Sequence, residues 1–398
     1  MTVHKLQPVG LKTQTVNFQA LPPLSLYIHI PWCVRKCPYC DFNSHEARSD
    51  LPEAAYVDAL IRDLEMSLPL VWGRKVYSVF IGGGTPSLLS AQALEKILSS
   101  VRMLLPLDVN AEITLEANPG TVEADKFKGF RDAGVNRLSL GIQSFNDAHL
   151  HALGRIHNSA DARRAIEIAQ SHFDNINLDL MYALPQQTLV QAEQDVRTAL
   201  EYVPQHLSCY HLTLEPNTLF HRYPPSLPDD DSSSEMQQHI EALLSEHGYQ
   251  HYETSAFALA KKQSRHNLNY WQFGDYLGIG AGAHSKISSH ESVLRQARYK
   301  QPQAYLDQVA LGAPVQTENT LTRDDLCFEF MMNALRINQG FSTELFSERT
   351  SLPLLLIRSE LEQAEQRGLL QRDMKHIAPT ELGRRFLNDL LEIFLREK

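Results

Sequence analysis

Three cysteines, Cys33, Cys37 and Cys40, stand on one short loop, Cys33-Val34-Arg35-Lys36-Cys37-Pro38-Tyr39-Cys40, directly after an apolar run at 24–30. Thiolates hold iron–sulfur clusters, and a four-iron cluster bound by three of them keeps one iron free of protein, where chemistry can happen. Zinc is the plainer alternative. Structural zinc sites, however, usually complete a Cys pair with a second Cys or His pair, and the remaining cysteines, Cys209 and Cys327, are isolated. The spacing favours a cluster over zinc or unliganded thiols, and a disulfide framework fits less well still.

Other residues suited to chemistry recur along the chain. Gly82-Gly83-Gly84-Thr85 allows close backbone approach or positive φ, with amides expected to be free for a carboxylate; the alternative is a tight turn. Glu116 and Gln143 close apolar runs, and Arg155 is expected on the helical segment that follows. Asp179 interrupts an apolar run at 175–183, where an unpaired acid costs several kcal/mol, so it needs a ligand or a partner such as Arg155. Further on, Arg265-His266-Asn267-Leu268-Asn269-Tyr270-Trp271 leads into a glycine-rich stretch, 274–284, ending at His284. A satisfied histidine, core aromatics and a glycine turn would account for the same residues.

These groups need elements to position them. Strand-like runs fall at 24–30, 76–81, 111–117, 135–142, 175–183 and 206–213, and helical spacing at 54–67, 91–104, 124–133 and 190–202. Such alternation implies parallel strands with right-handed crossovers, as an open sheet or a barrel. The candidate residues sit at the C-terminal ends of successive runs, where α/β folds build their sites. Past a proline- and acid-rich connection at 224–231, a helix is expected over 234–246 and a strand over 249–256. From about 311 the composition changes: a helix at 354–367, a ribbon at 369–378 and an amphipathic helix at 381–395 suggest a small winged-helix-like α+β domain. Residues 1–23 read as a polar tail, giving segments 1–23, 24–310 and 311–398. DNA binding does not follow from such a fold, and packing or partner contact is the expectation for it.

Among 398 residues, 37 Lys+Arg against 47 Asp+Glu give a formal charge of −10, which argues against a nucleic-acid binder with a broad basic face. No apolar run approaches the roughly 18 residues of a membrane span, and the first residues lack a secretion-signal pattern. A cytoplasmic protein is expected, whose thiols act as ligands rather than crosslinks.

Cys-x-x-x-Cys-x-x-Cys after the first strand resembles the signature of the radical S-adenosylmethionine superfamily. The longer run Tyr27-Ile28-His29-Ile30-Pro31-Trp32-Cys33 is similar to the branch containing oxygen-independent coproporphyrinogen III oxidases and HemW haem chaperones. The resemblance implies an α/β fold, a partial (β/α)6 barrel with the cysteine loop over its top. It implies a [4Fe-4S] cluster on Cys33, Cys37 and Cys40, its open iron chelated by S-adenosylmethionine, which one electron cleaves to a 5′-deoxyadenosyl radical. The protein's part is to position the cofactor and exclude side reactions. On the same ground Tyr27, Gly83, Gly84, Thr85, Glu116, Gln143, Arg155 and Asp179 match residues that contact S-adenosylmethionine. Tyr39 and the neighbourhood of Thr213 match contacts to a second molecule of it in the oxidase.

The chaperones of that branch carry His-Asn-x-x-Tyr-Trp as a haem-binding motif, and residues 266–271 match every fixed position. This implies haem as a further bound group, with His266 as axial ligand and Tyr270 and Trp271 shaping the pocket; His284 is the nearest rival ligand. Imidazole is a common haem ligand, and aromatic rings pack on porphyrins. The oxidase carries another cysteine two residues after the third, where this chain has Phe42, and a longer segment before the first strand. Three readings compete: a haem carrier, an oxidase decarboxylating two propionates of coproporphyrinogen III, and a radical enzyme with another substrate. The first is the expectation, with haem and an unidentified acceptor protein as partners, no nucleic acid, and any membrane contact made through the acceptor.

Overall fold

Residues 16–47, 51–121 and 124–396 are described by the computed structural model. Six strands, β1 (Leu24–Ile30), β2 (Val76–Gly83), β3 (Leu107–Ala117), β4 (Arg137–Gln143), β5 (Ile176–Tyr182) and β6 (His206–His211), lie side by side in chain order, all parallel. Helices α1 (Glu53–Val71), α2 (Ala91–Leu104), α3 (Ala124–Ala133), α4 (Asp147–Ala152), α5 (Ser159–His172) and α6 (Leu189–Leu200) connect them.

Side chains alternate between the two faces of each strand. Leu26 and Ile28, Ile113 and Leu115, and Leu178 and Leu180 are buried in one core with the apolar stripes of the helices, such as Leu94, Ile97, Leu98 and Val101 of α2. The intervening positions, Ser25, Tyr27 and His29, Glu112, Thr114 and Glu116, and Asn177 and Asp179, share the opposite face. That face is polar, and hydrogen bonds offset much of its desolvation cost, as between Ser25 and Ser78 (2.8 Å) and between Asn177 and Ser139 (2.7 Å).

Beyond the α helices α7 (Leu219–Arg222) and α8 (Asp230–Glu246), the chain adds β7 (Gln250–Glu253) and β8 (Ala256–Ala258), antiparallel, at the β6 edge. After α9 (Arg265–Trp271), β9 (Asp275–Ile279) pairs in parallel with β1, and β10 (His284–Ser288), β11 (Val293–Arg298) and β12 (Val315–Thr320) continue antiparallel. The order is β12-β11-β10-β9-β1-β2-β3-β4-β5-β6-β8-β7, and the outer strands do not pair, so the barrel stays open. The glycine-rich stretch is thus two strands and a turn. The sheet also continues through Thr320, past residue 310, because α10 (Pro302–Ala310) loops back to deliver β12 to the edge.

The C-terminal unit has helix α11 (Arg323–Ala334), strand β13 (Phe341–Ser342), helices α12 (Thr343–Thr350) and α13 (Arg358–Gln366), and a ribbon of β14 (Leu370–Arg372) and β15 (His376–Pro379), a winged-helix-like arrangement. Its core centres on Phe330, whose ring meets Phe341 and Phe346 edge-on at 5.1 Å each. The terminal helix expected over 381–395 is two pieces, α14 (Glu381–Arg385) and α15 (Leu387–Glu392), broken at Phe386, whose backbone is not helical (φ −113°, ψ 48°). Of the expected tail, residues 1–15 lie outside the described residues. Val16 and Phe18 are no tail: both are buried in the C-terminal core, and Phe18 N donates to His290 O (2.9 Å).

Candidate functional site

At the end of β1 the chain turns into a loop closed by a two-residue parallel ladder, Trp32–Cys33 with His45–Glu46. Cys33, Cys37 and Cys40 are free and half-buried along it, whereas Cys209 and Cys327 are fully buried. Cys40 N donates to Cys37 O (3.2 Å), and Lys36 Nζ donates to Ser44 O (3.1 Å) and Phe42 O (3.3 Å), which shapes the loop. Cys37 Sγ lies 3.7 Å from Arg155 Nη1, and Cys40 Sγ 3.7 Å from Ser44 Oγ. Burial pushes the Cys33 and Cys40 thiols up, against hydrogen bonds from Thr85 and Ser44. Metal loading must therefore displace protons. Among the described residues no three His, Cys, Asp or Glu side chains converge on a single ion. Three thiolates on one loop can each take one iron of a cluster.

The triple glycine meets the loop from below. Gly83 has φ +117°, and a Cβ there would stand 2.6 Å from the His29 ring; a Cβ on Gly84 would stand 2.5 Å from Trp32 O. Only glycine lets β2 approach β1 so closely. The amides expected to be free are not: Gly83 N donates to Glu116 Oε2 (3.1 Å), Gly84 N to Ile30 O (2.7 Å) and Thr85 N to Trp32 O (2.7 Å). Burial and the neighbouring Asp179 raise the Glu116 carboxyl to about 8, against the Gly83 amide and Arg137.

Arg155 is not on a helix but in the turn after α4, and it does not pair with Asp179. Its Nη2 donates to Gly141 O (2.8 Å), its guanidinium faces Cys37 and Tyr39, and its buried Nε has no hydrogen-bond partner. Asp179 instead accepts from Ser139 Oγ (3.0 Å) and Asn177 Nδ2 (2.8 Å), and burial raises its carboxyl. Gln143 ends β4 at φ 68°, a left-handed conformation beside a register shift. Tyr39 packs towards Phe220 (6.3 Å between ring centres) and Thr213 bonds Glu215, and neither is among the residues lining the cavity described next.

A cavity of about 600 Å³ opens beside the cysteine loop, lined among others by Tyr27, Phe80, Gly83, Glu116, Cys40, His266, Tyr270 and His284. Candidates as far apart in sequence as Tyr27 and His284 thus share one space, of the size ordinary for ligand sites. His266 is buried at its edge on the first turn of α9, which is fixed because the Glu112 carboxylate accepts from Arg265 N (3.2 Å) and His266 N (3.1 Å). The imidazole packs 5.0 Å from Phe80 and 6.5 Å from Tyr27. Burial, with Arg137 nearby, lowers it to about 3, so it is neutral at pH 7. Nδ1 bonds Ser78 Oγ (3.1 Å), and Nε2 has no hydrogen-bond partner among the described residues. Tyr270 stacks on Tyr276 (4.6 Å) at the wall, whereas Trp271 turns away: Arg336 of the C-terminal unit lies 5.1 Å over its ring, and its buried Nε1 is unpartnered.

Sequence reasoning missed several residues here. His29 lines the cavity but cannot offer nitrogen: its Nε2 must donate to the Asn43 carbonyl (2.8 Å), leaving Nδ1 to accept from Tyr27 Oη (2.9 Å). Asn43 donates from Nδ2 to both Ala281 O and Lys300 O (2.9 Å each), pinning the cysteine loop to the turn after β9. Polar breaks at Ser25 and Ser78 inside apolar runs were the available signal for the support beneath His266.

The model of the "Radical SAM superfamily" matches residues 27–199, and that of the "HemN C-terminal domain" residues 321–386. The chain is 47% identical over 384 residues to the heme chaperone HemW of Haemophilus influenzae, covering 95% of this chain and 99% of that one. It is 48% identical over 379 residues to heme chaperone HemW of Escherichia coli, with the same shares covered. A mitochondrial protein of Bos taurus, "radical S-adenosyl methionine domain-containing protein 1", is 34% identical over 92% of this chain and 86% of its own length. Among solved structures, the coproporphyrinogen III oxidase HemN of Escherichia coli superposes with a TM-score of 0.80 at 26% identity, over 94% of this chain and 90% of that one.

Proposed function

This chain belongs to the HemW haem chaperone family of the radical S-adenosylmethionine superfamily, and we propose that it binds haem in the cavity beside its cysteine loop and hands it to an acceptor protein. The observation that carries this reading is His266: a neutral imidazole, held from behind by Ser78, with Nε2 unpartnered at a wall shared with Tyr27, Phe80 and Tyr270. Cys33, Cys37 and Cys40 would hold the [4Fe-4S] cluster, and Tyr27, Gly83, Gly84, Thr85, Glu116, Gln143, Arg155 and Asp179 would surround S-adenosylmethionine, with Tyr39 beside Arg155. When bound, that pair supplies one-electron chemistry. The chain's own residues orient it: Arg155 sets positive charge against Cys37, and Glu116 sets a carboxyl against the Gly83 turn.

Superposition on HemN favours a second reading, the oxidase. Against it stands Phe42 where the oxidase has a cysteine, 61% exposed at the cavity rim. The C-terminal unit suits a protein partner better than DNA, since α13 carries Glu360, Glu362 and Glu365 against Arg358. Among the described residues no helix is long and apolar enough to cross a membrane. We assign the protein to the cytoplasm on its five free thiols, three of them ligands there. Reconstituted, haem-loaded protein mixed with an apo-haem protein tests the reading: transfer of the haem spectrum supports it. Protoporphyrinogen formation from coproporphyrinogen III at about 1 per second or faster, ordinary for an enzyme, restores the oxidase.

A further inference from the structure

We propose that Lys36 and Lys300 form a carboxylate clamp at the mouth of the cavity that receives the two propionates of haem. This rests on the haem reading of the same site. In a chain of net charge −10, both lysines line the cavity, exposed and without a described carboxylate in ion-pair contact. They sit on separate segments, the cysteine loop and the turn after β11, which one residue ties together. Lys36 Nζ donates to the carbonyls of Phe42 and Ser44 on either side of Asn43, while Asn43 Nδ2 donates to the backbone carbonyl of Lys300. Gly282 keeps that contact open: it has φ +79°, and a Cβ there would stand 2.3 Å from Asn43 Nδ2.

The other acidic groups facing the cavity are Asp41 at the rim and Glu116 inside, the latter engaged with Gly83 N; burial, Lys300 and Arg295 push the His284 imidazole down. Ionised propionates are costly to bury, so haem held at His266 would present them at the exposed side of the cavity, where the lysines stand. Ammonium–carboxylate hydrogen bonds there would be charge-assisted. S-adenosylmethionine also has a carboxylate, and the buried Arg155, beside Cys37 and not among the residues lining the cavity, is a separate cation for it.

Titrating haem and haem dimethyl ester into the full-length protein, its Lys36→Gln and Lys300→Gln variants and the double variant separates these sources, with S-adenosylmethionine binding as a third arm. Each substitution should weaken haem roughly three- to tenfold at low salt, the loss shrinking as salt rises. The dimethyl ester and S-adenosylmethionine should bind all four proteins alike. Lys300→Gln lies outside the cysteine loop and carries the test even where Lys36→Gln loses its cluster. Equal loss for ester and free acid, unchanged haem affinity, or loss confined to S-adenosylmethionine overturns the clamp alone. A wild-type protein that binds no haem overturns the haem reading, and the clamp with it.

Discussion

Ser78 Oγ stands 3.1 Å from His266 Nδ1, across 188 positions of sequence, and holds the imidazole from behind. Ser78 in turn meets Ser25 Oγ at 2.8 Å, and Ser25 accepts from Asn269 Nδ2 (2.9 Å). The network closes in either direction, and iron binding selects the one in which His266 Nδ1–H donates to Ser78 and Ser78 O–H to Ser25, because that tautomer leaves the lone pair on Nε2. Partners behind a ligating histidine orient it and raise its basicity.

Ser78→Ala should therefore weaken haem binding about tenfold while leaving iron and sulfide content unchanged. Equilibrium haem titration reads the first and chemical analysis the second. An unaltered haem affinity would show that Ser78 is only a packing residue.

Replacing Cys33, Cys37 or Cys40 singly by serine should abolish the brown chromophore after anaerobic reconstitution. Cys209→Ser and Cys327→Ser, both buried away from the loop, should retain it. One bound zinc without sulfide in the wild type contradicts the cluster.

The Glu116 carboxyl makes a stability prediction. Its folded-state value is raised from 4.5 to about 8 by burial and by Asp179. A raised value means the folded state holds the proton more tightly, so this contribution is complete below about pH 4.5 and is lost as pH rises towards 8. Glu116→Gln, which cannot ionise, should stabilise the ligand-free protein more at pH 9 than at pH 4, by an amount on the order of 4 kcal/mol. Thermal unfolding at the two pH values checks the sign.

Much of the frame was legible because it is local. The run 24–30 is β1, and helical spacing at 91–104 and 124–133 coincides with α2 and α3, since period alone separates buried from exposed positions. What escaped depends on distant partners. Glycines at 82–84 announced close approach, but not that carbonyls of Ile30 and Trp32 occupy the amides of Gly84 and Thr85. Polarity at Asp179 announced a partner, but only the fold chooses Ser139 and Asn177 over Arg155. The motif at 266–271 was visible as a string, without any sign that α9 points His266 and Trp271 to different sides.

That divergence is testable. Trp271→Phe should lower the melting temperature, because Trp271 meets Arg336 across the join to the C-terminal unit, yet leave the position of the Soret band unchanged. A shifted Soret band at unchanged stability would return Trp271 to the haem pocket.

The central claim is that His266 Nε2 holds haem iron in the cavity beside the cysteine loop. Absorption spectra recorded during haem titration of wild type, His266→Ala and His284→Ala test it most directly. The account predicts a displaced Soret band and weakened haem retention in His266→Ala, partly restored by added imidazole, with His284→Ala indistinguishable from wild type. An identical spectrum and affinity in His266→Ala, or the loss appearing in His284→Ala instead, would contradict it.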